Sequence, residues 1–262
     1  MPLTQFQTKL AKLLSVSRSE DSYLAGGAAL HSQPNSLRYS QDLDYFHDSE
    51  KRVATAFAND QKILEENNYE CSIEIHQPGY IRVVVSKKNE TTKIEWAFDS
   101  AWRFLPVIPD ENLGYVLDPI DLSINKLLAL AGRDEPRDFL DVIYSHEHIL
   151  PFPSQLWAAC GKDPGFNPVS LLELIKRRGK YQPDAFEKLN LNTKINLQEL
   201  KTTWLNILAE AEIFIKKAPP EHLGCLFYSK KQNKFILPNF DESKPEVIPH
   251  YGKMYGVFPR VY

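Results

Sequence analysis

The sequence predicts an α+β fold, in which a mixed β-sheet backed by helices is followed by a mainly helical C-terminal domain. Short segments of alternating or apolar character recur in the first half of the chain, at residues 70–76, 80–86 and 91–98. Successive side chains point to opposite faces of a strand, so a period of two indicates a sheet. A broad apolar stripe with helical spacing covers residues 196–217 and indicates a long helix near the end of the chain.

The first half of the chain is expected to hold the sheet and its supporting helices. Phe6, Leu10 and Leu13 recur at helical spacing and predict the first helix. Ser49 can cap a later helix, because a serine hydroxyl accepts a hydrogen bond from a backbone N–H of the first turn. The predicted elements are a helix at 5–16, a strand at 23–25, a short helix at 27–32, a strand at 42–46, a helix at 49–67 and strands at 70–76, 80–86 and 91–98.

The second half is expected to be mainly helical. Residues 100–118 contain two prolines and a glycine and are predicted to form a connection. Asp118 followed by Pro119 favours a helix start, with the aspartate as the cap and the proline in the first turn. Helices are predicted at 119–131, 135–146, 168–178, 184–189 and 196–217, with a hairpin from 224–228 and 234–237. The Leu-Pro-Phe-Pro run at 150–153 predicts a boundary between domains of residues 1–150 and 151–262.

Composition indicates an ordinary folded protein in a reducing compartment. Apolar residues make up 43% of the chain, which is enough for a core, yet no apolar segment is long enough to cross a bilayer. The first residues lack the layout of a secretory signal. Cys71, Cys160 and Cys225 are too widely spaced to suggest a disulfide framework or a zinc site. We therefore expect a cytoplasmic protein without a membrane partner.

Charge is distributed unevenly along the chain. Residues 1–150 hold 15 Lys and Arg against 23 Asp and Glu, whereas residues 151–262 hold 16 against 11. An acidic first half suits a metal site, and a basic second half could attract a polyanion such as RNA. The most basic cluster comprises Lys176 to Arg178 with Lys180 and Tyr181. It could bind an RNA backbone, although a solvated helix end explains such a cluster equally well.

One stretch carries the strongest chemical signal. An apolar segment ends at Gly26 and Gly27, and Asp42 and Asp44 follow in the next predicted strand. The period of two places both carboxylates on one face of that strand. Two like charges side by side repel, and a divalent cation with a preference for oxygen ligands would offset this cost. The glycine turn can let backbone N–H groups approach a phosphate closely.

This stretch resembles the signature of the nucleotidyltransferase superfamily, a Gly-Gly or Gly-Ser turn followed by Asp-x-Asp. With Arg38 and Ser40 before the aspartates, it looks most like the AbiEii/AbiGii-type toxin branch. The resemblance implies a nucleotidyltransferase core that binds a nucleoside triphosphate and Mg²⁺ and releases pyrophosphate. Arg38 could bind a phosphate or pair with a carboxylate, and Ser40 could bind a phosphate or hold the turn.

A third carboxylate is expected on a neighbouring strand, because a two-metal site usually needs one. Glu95 lies in the middle of the predicted strand 91–98, and Asp99 lies just beyond it. Glu95 is preferred, since the backbone in mid-strand is rigid. In the superfamily this acid is most often aspartate, so the choice between Glu95 and Asp99 stays open. The third acid could take the proton from an attacking hydroxyl.

A second set of charged residues spans residues 126–141 and also resembles the AbiEii-type pattern of Lys, then Arg, then Arg-Asp-x-x-Asp. The resemblance implies that the lysine and an aspartate of the last motif are needed for activity. Asp138 and Asp141 share a helix face because they are three residues apart. They could act on substrate, or they could orient a cation, or they could form ordinary surface ion pairs. The matching residues are Lys126, Arg133, Arg137, Asp138 and Asp141. The two arginines are candidates to bind the nucleotide, because an arginine can bind a phosphate bidentately.

The resemblance also implies partners. The acceptor could be a tRNA 3′ end, and the biological role that of a toxin restrained by an antitoxin protein. Two alternatives remain open from the sequence. Nucleotidyl transfer could instead modify a small molecule or a protein, or the chain could be a catalytically silent module that binds a nucleotide or a partner.

Overall fold

The computed structural model describes residues 3–32, 36–241 and 246–260. The chain forms two compact units. The sheet unit contains the chain up to Leu122 together with Asn190–Thr193 and Met254–Gly256, and the helical unit contains the rest. The division falls inside a helix, between Leu122 and Ser123. The domain boundary expected at residue 150 is a different place in the chain and stays a prediction.

The sheet unit is built on a mixed seven-stranded sheet in the order β3-β4-β5-β2-β1-β8-β7. β2 pairs in parallel with β5, and β1 pairs in parallel with β8, whereas the other neighbours are antiparallel. The predicted fold class, a mixed sheet with helices, is thus confirmed. The strands are β1 (Ser22–Ala25), β2 (Asp42–His47), β3 (Glu70–Gln77), β4 (Tyr80–Lys87), β5 (Glu90–Phe98), β6 (Trp102–Arg103), β7 (Ile108–Asp110) and β8 (Gly114–Val116).

Three helices accompany this sheet: α1 (Gln5–Leu14), α2 (Gly26–Leu30) and α3 (Glu50–Glu66). A capping box starts α1, where Thr4 and Gln7 exchange side-chain and backbone hydrogen bonds. Ser49 caps α3 as expected, because its hydroxyl accepts from the Arg52 N–H. Capped ends and buried apolar faces therefore hold both long helices against the sheet.

One face of the sheet forms the core beneath α1 and α3. Leu43, Tyr45, Ile94 and Trp96 alternate along β2 and β5 and are fully buried. Asp60 of α3 accepts a hydrogen bond from Trp96 Nε1 at 2.7 Å. This contact fixes α3 on the sheet, and it leaves the opposite face of the same strands for polar side chains.

Two segments differ from the sequence prediction in structure. The expected connection at 100–118 contains β7 and β8, and Pro109 sits in β7 at the edge of the sheet, where a missing N–H costs no ladder bond. The helix α6 (Phe152–Lys162) was not predicted, since its prolines indicated a boundary. Both Pro151 and Pro153 lie at its start, where proline is compatible with a helix.

The helical unit packs its helices around aromatic side chains. Trp157 of α6 meets Phe214 edge to face with 5.8 Å between ring centroids, and Phe227 belongs to the same buried cluster.

Among the described helices, none is long and apolar enough to span a membrane. The remaining elements are α4 (Pro119–Gly132), α5 (Pro136–His148), α7 (Pro168–Ile175), α8 (Pro183–Glu187), α9 (Leu197–Lys217), β9 (Leu226–Ser229), β10 (Lys234–Phe235), β11 (Ile248–His250) and β12 (Lys253–Met254), of which α4 and β12 include residues of both units.

His47 gives the sheet unit a predictable response to acid. It ends β2 with a fully buried imidazole, and neither ring nitrogen has a hydrogen-bond partner among the described residues. Burial, reinforced by Arg18 and Arg52, lowers the pKa of His47 to about 3. Below pH 6.5 this imidazole is therefore protonated in the unfolded chain but stays neutral in the folded chain. The free energy of unfolding falls as the pH falls from 6.5 toward 3.

We expect His47→Leu to reduce this acid sensitivity. One proton taken up on unfolding corresponds to about 1.4 kcal/mol per pH unit, so the slope of unfolding free energy against pH should decrease by about that amount between pH 5.5 and 4. Urea titrations followed by circular dichroism measure the slope. Exposed His76→Leu is the matched control and should keep the wild-type slope. Equal slopes for the wild type and His47→Leu would contradict the prediction.

Candidate active site

Three carboxylates predicted from the sequence lie together on the open face of the sheet. Asp42 and Asp44 project from β2, and Glu95 projects from β5. One oxygen of each carboxylate lies within 4.8 Å of the others, and all three side chains are partly buried. The spacing lets three oxygens reach a single hard cation, which is the donor set that magnesium prefers.

The pairing of β2 with β5 produces this cluster. The two strands run parallel, and their register places Asp44 directly beside Glu95. Neighbouring strands are about 4.8 Å apart, so the two carboxylates start from adjacent backbones. Asp99, the other candidate for the third acid, follows the end of β5, and its backbone N–H donates to the His47 carbonyl at 3.0 Å. Within the described part of the chain, the carboxylate cluster does not include Asp99.

The glycine turn lies against the same carboxylates. Gly26 has φ of +60°, a left-handed conformation that favours glycine. A Cβ atom at Gly26 would lie 1.8 Å from Asp44 Oδ2, so any side chain there would displace the carboxylate. At Gly27 a Cβ atom would lie 2.9 Å from Arg38 Nη2 and 3.2 Å from Ser40 Oγ. Four of the residues expected to bind the nucleotide thus lie around one turn beside Asp44, namely Gly26, Gly27, Arg38 and Ser40. The other two, Arg133 and Arg137, belong to the helical unit.

Ser40 holds the approach to β2 in this structure. Its hydroxyl donates to the Asp42 carbonyl at 2.9 Å, and its own carbonyl accepts from Gln7 Nε2 at 3.2 Å. Of the two roles open from the sequence, the observed bond is that of a residue that fixes the turn. Arg38 is buried, and its Nη1 donates to the Tyr39 carbonyl at 3.1 Å. These bonds fix the backbone that leads into the carboxylate pair.

Arg82 and Tyr80 complete the site and were missed in the sequence. Arg82 of β4 stands opposite Glu95, and its Nε lies 2.8 Å from Glu95 Oε1. Burial and the hydrogen-bonded Glu95 carboxylate raise the pKa of Tyr80 to about 12, so its phenol stays neutral. The available signal was the alternation of Tyr80 and Arg82 with the apolar Ile81 and Val83 in the strand predicted at 80–86.

The second set of charged residues forms a buried ion-pair cluster in the helical unit. Lys126 of α4 places Nζ 2.8 Å from Asp141 Oδ2 and 3.3 Å from Asp138 Oδ1. Arg133 Nε also reaches Asp138, at 2.7 Å, with its own side chain half exposed. Both aspartates are fully buried, which excludes the sequence alternative of ordinary surface pairs for them. Arg137 lies in the first turn of α5 and is partly buried.

Comparison with known proteins identifies the fold. No protein-family model matches the sequence, and no curated protein matches it. The solved structure of JHP933 from Helicobacter pylori has a TM-score of 0.51 at 20% identity, over 80% of this chain and 95% of that one. MenT4, a nucleotidyltransferase toxin from Mycobacterium tuberculosis, has a TM-score of 0.54 at 16% identity, over 82% of this chain and 83% of MenT4. The chain has the nucleotidyltransferase fold.

The nucleotidyltransferase fold alone does not determine an activity, because one fold supports many functions. At these identities the likeness concerns architecture only. The functional argument therefore depends on the side chains of this sequence, namely the three carboxylates, the glycine turn beside Asp44 and the ion pair between Arg82 and Glu95.

The Lys126 cluster yields a prediction about stability. Lys126→Met would leave two buried carboxylates without their shared cation, and breaking a buried pair in this way costs about 3–5 kcal/mol. Arg133→Met is the matched control, because its half-exposed guanidinium contributes about 1 kcal/mol or less. Urea unfolding measures both changes. A loss for Lys126→Met no larger than that for Arg133→Met would show that the buried lysine does not hold the cluster.

Proposed function

We propose that this protein is a magnesium-dependent nucleotidyltransferase that moves a nucleoside monophosphate from a nucleoside triphosphate to a hydroxyl acceptor. The observation that carries the proposal is the convergence of Asp42, Asp44 and Glu95 beside Gly26. Folding alone gains nothing from three carboxylates placed so close together. On a nucleotidyltransferase fold, a cluster of this kind at this position has a direct chemical use.

The donor set suits Mg²⁺. All candidate ligand atoms are carboxylate oxygens, and they come from strands rather than from mobile loops. Asp42, Asp44 and Glu95 would hold the cation. Bound there, Mg²⁺ would neutralise the charge on the triphosphate oxygens. The Arg82 guanidinium already lowers the local negative charge by one unit, which reduces repulsion between the cluster and an incoming triphosphate.

The reaction requires one bond to form and one to break at the α-phosphorus. The acceptor oxygen bonds to that phosphorus, and the bond to the bridging oxygen breaks, so pyrophosphate leaves with the electron pair. The acceptor proton passes to a carboxylate, and we assign this role to Glu95 because its position at the edge of the cluster is fixed by Arg82. Because Gly26 has no side chain, the Asp44 carboxylate can occupy the space beside it.

The acceptor and the biological role extend the proposal. MenT4 is described as a nucleotidyltransferase toxin, and the motifs of this chain resemble the AbiEii/AbiGii-type toxins. We infer by this analogy an RNA acceptor, with a tRNA 3′ end as the first candidate, and a toxin role restrained by an antitoxin protein. Lys126 and the aspartates Asp138 and Asp141 enter by the same resemblance, and their ion pairs favour a role in orienting the lysine.

A label-transfer assay tests the activity. The protein is incubated with Mg²⁺, total RNA and each of the four nucleoside triphosphates in turn, labelled at the α-phosphate. We expect label in RNA with the wild type, and a loss of about 100-fold or more with Asp44→Asn, because the isosteric amide removes a charged ligand. Omission of Mg²⁺ or addition of a chelator should have a comparable effect.

Two further variants, one test and one matched control, complete this assay. Glu95→Gln should lose activity like Asp44→Asn, whereas Asp99→Asn should keep it, since Asp99 lies outside the cluster. Equal labelling by the wild type and Asp44→Asn would contradict the catalytic proposal. Label that appears in small molecules or in protein instead of RNA would support nucleotidyl transfer but contradict the proposal of an RNA acceptor. Absence of any label with bound triphosphate would favour the silent binding module.

A further inference from the structure

The helical unit contains a cavity of about 550 Å³ that the proposed transfer chemistry does not use. Its walls come from α8 and α9, from the segment 176–182 and from Phe139 of α5. The size is within the range of small-molecule sites. The lining divides into an apolar part and a basic part. The apolar part is Phe139, Tyr181, Pro183, Phe186, Leu197, Leu200, Trp204, Leu205 and Leu208, and the basic part is Lys176, Arg178, Lys180 and Lys201.

The charge of the lining favours an anion. Four cations and no carboxylate line the cavity within the described ranges. Lys176 is paired with Glu173 and Glu212, and Arg178 lies 3.7 Å from Asp134. Lys180 and Lys201 are exposed, and neither forms an ion pair with a described residue. These two lysines therefore supply the uncompensated positive charge at the rim.

The apolar part offers both a surface for stacking and a hydrogen-bond donor. Tyr181 is partly exposed and meets Phe139 edge to face at 5.5 Å, so its ring is held in place. Trp204 lines the cavity, and no hydrogen bond joins its indole N–H to a described residue. A ligand with an acceptor atom at this nitrogen would gain a hydrogen bond. Leu205 is 56% exposed beside the rings and leaves apolar surface for a flat ligand.

Gly179 lets the basic segment lie directly over the rings. Its φ is +75°, and a Cβ atom there would lie 2.8 Å from Phe139 Cε2 and 3.0 Å from Trp204 Nε1. The chain can therefore pass close to the aromatic floor only with glycine at this position. The same close passage carries Lys180 and Tyr181 to the rim, so charge and aromatic surface are presented together.

We propose that this cavity binds one unpaired base of a single-stranded RNA acceptor, with Lys180 and Lys201 on the flanking phosphates and the Trp204 indole N–H on the base. Aromatic surface next to lysines is the usual means of binding single strands, because bases stack and phosphates attract cations. The RNA acceptor is part of the proposed function, so this inference rests on it. The cavity adds a binding site in the helical unit, with a defined chemistry.

Binding of labelled single-stranded RNA tests the site without nucleotide or Mg²⁺. Fluorescence anisotropy of the full chain with short oligonucleotides gives Kd as a function of salt. The double variant Lys180→Glu with Lys201→Glu should weaken binding at least about 10-fold and reduce the slope of log Kd against log salt by about 1.4, or about 0.7 for each phosphate. Trp204→Phe keeps a ring and removes the donor, so it should weaken binding with an unchanged slope.

The matched control is the double variant Lys194→Glu with Lys216→Glu, which changes net charge equally at exposed lysines outside the cavity. Its Kd should stay within about 2-fold of the wild type. Equal weakening in both double variants would overturn the proposal, since binding would then follow net charge. An abasic oligonucleotide that binds as tightly as the normal one would also overturn it. The proposal would also be overturned if a short acidic peptide that contains tyrosine bound in place of the oligonucleotide with the same affinity.

These outcomes separate the two proposals. Base-dependent RNA binding that needs Lys180 and Lys201 supports the cavity even if no label is transferred, in which case only the transferase proposal fails. Label transfer to RNA that is insensitive to both lysines contradicts the cavity site and leaves the chemistry of Asp44 intact. Circular dichroism of each variant confirms that it is folded before its Kd is interpreted.

Discussion

The parallel pairing of β2 with β5 is the constraint on which the site depends. It sets Asp44 beside Glu95, and the alternation of each strand then fixes which face receives every other side chain. A shift of one residue would bury both carboxylates and expose Tyr45 or Trp96, which are fully buried. The core face therefore specifies the register of the acidic face. The apolar contacts that fold the sheet are also the reason why three like charges remain close together.

The core face contains a buried ion pair, which strengthens the coupling between the two faces of the sheet. Arg18 and Asp60 form a fully buried ion pair, and the Arg18 guanidinium lies 4.3 Å from the centre of the Tyr45 ring. Asp60 also accepts from Trp96. Asp60 thus links α3 to β5 through Trp96, and Arg18 links it to Tyr45 of β2. Tyr45 and Trp96 are the neighbours of Asp44 and Glu95 in sequence, so the active face is supported directly from behind.

Part of this arrangement could be predicted from sequence, and the division has a physical basis. A period of two is local, so it placed Asp42 and Asp44 on one face and Glu95 in mid-strand. The strand order is not local: β5 inserts beside β2 although two other strands lie between them in the chain. Arg82 was missed for another reason: β4 and β5 are consecutive, but their patterns do not give the register that sets Arg82 opposite Glu95. The helix α6 was missed because Pro151 and Pro153 have the same local signature in a linker and in a first helical turn.

The basic residues of the helical unit differ in whether their charge is already compensated by a carboxylate. Lys126 matches a family motif, yet its ammonium lies between two buried aspartates at 2.8 and 3.3 Å. To bind a phosphate it would have to exchange partners and leave buried carboxylates without a cation, at a cost of several kcal/mol. Lys180 and Lys201 match no motif, and they stand exposed at the rim of an aromatic cavity. Binding an anion there breaks no ion pair, which is why we propose these two lysines, rather than Lys126, for phosphate contact.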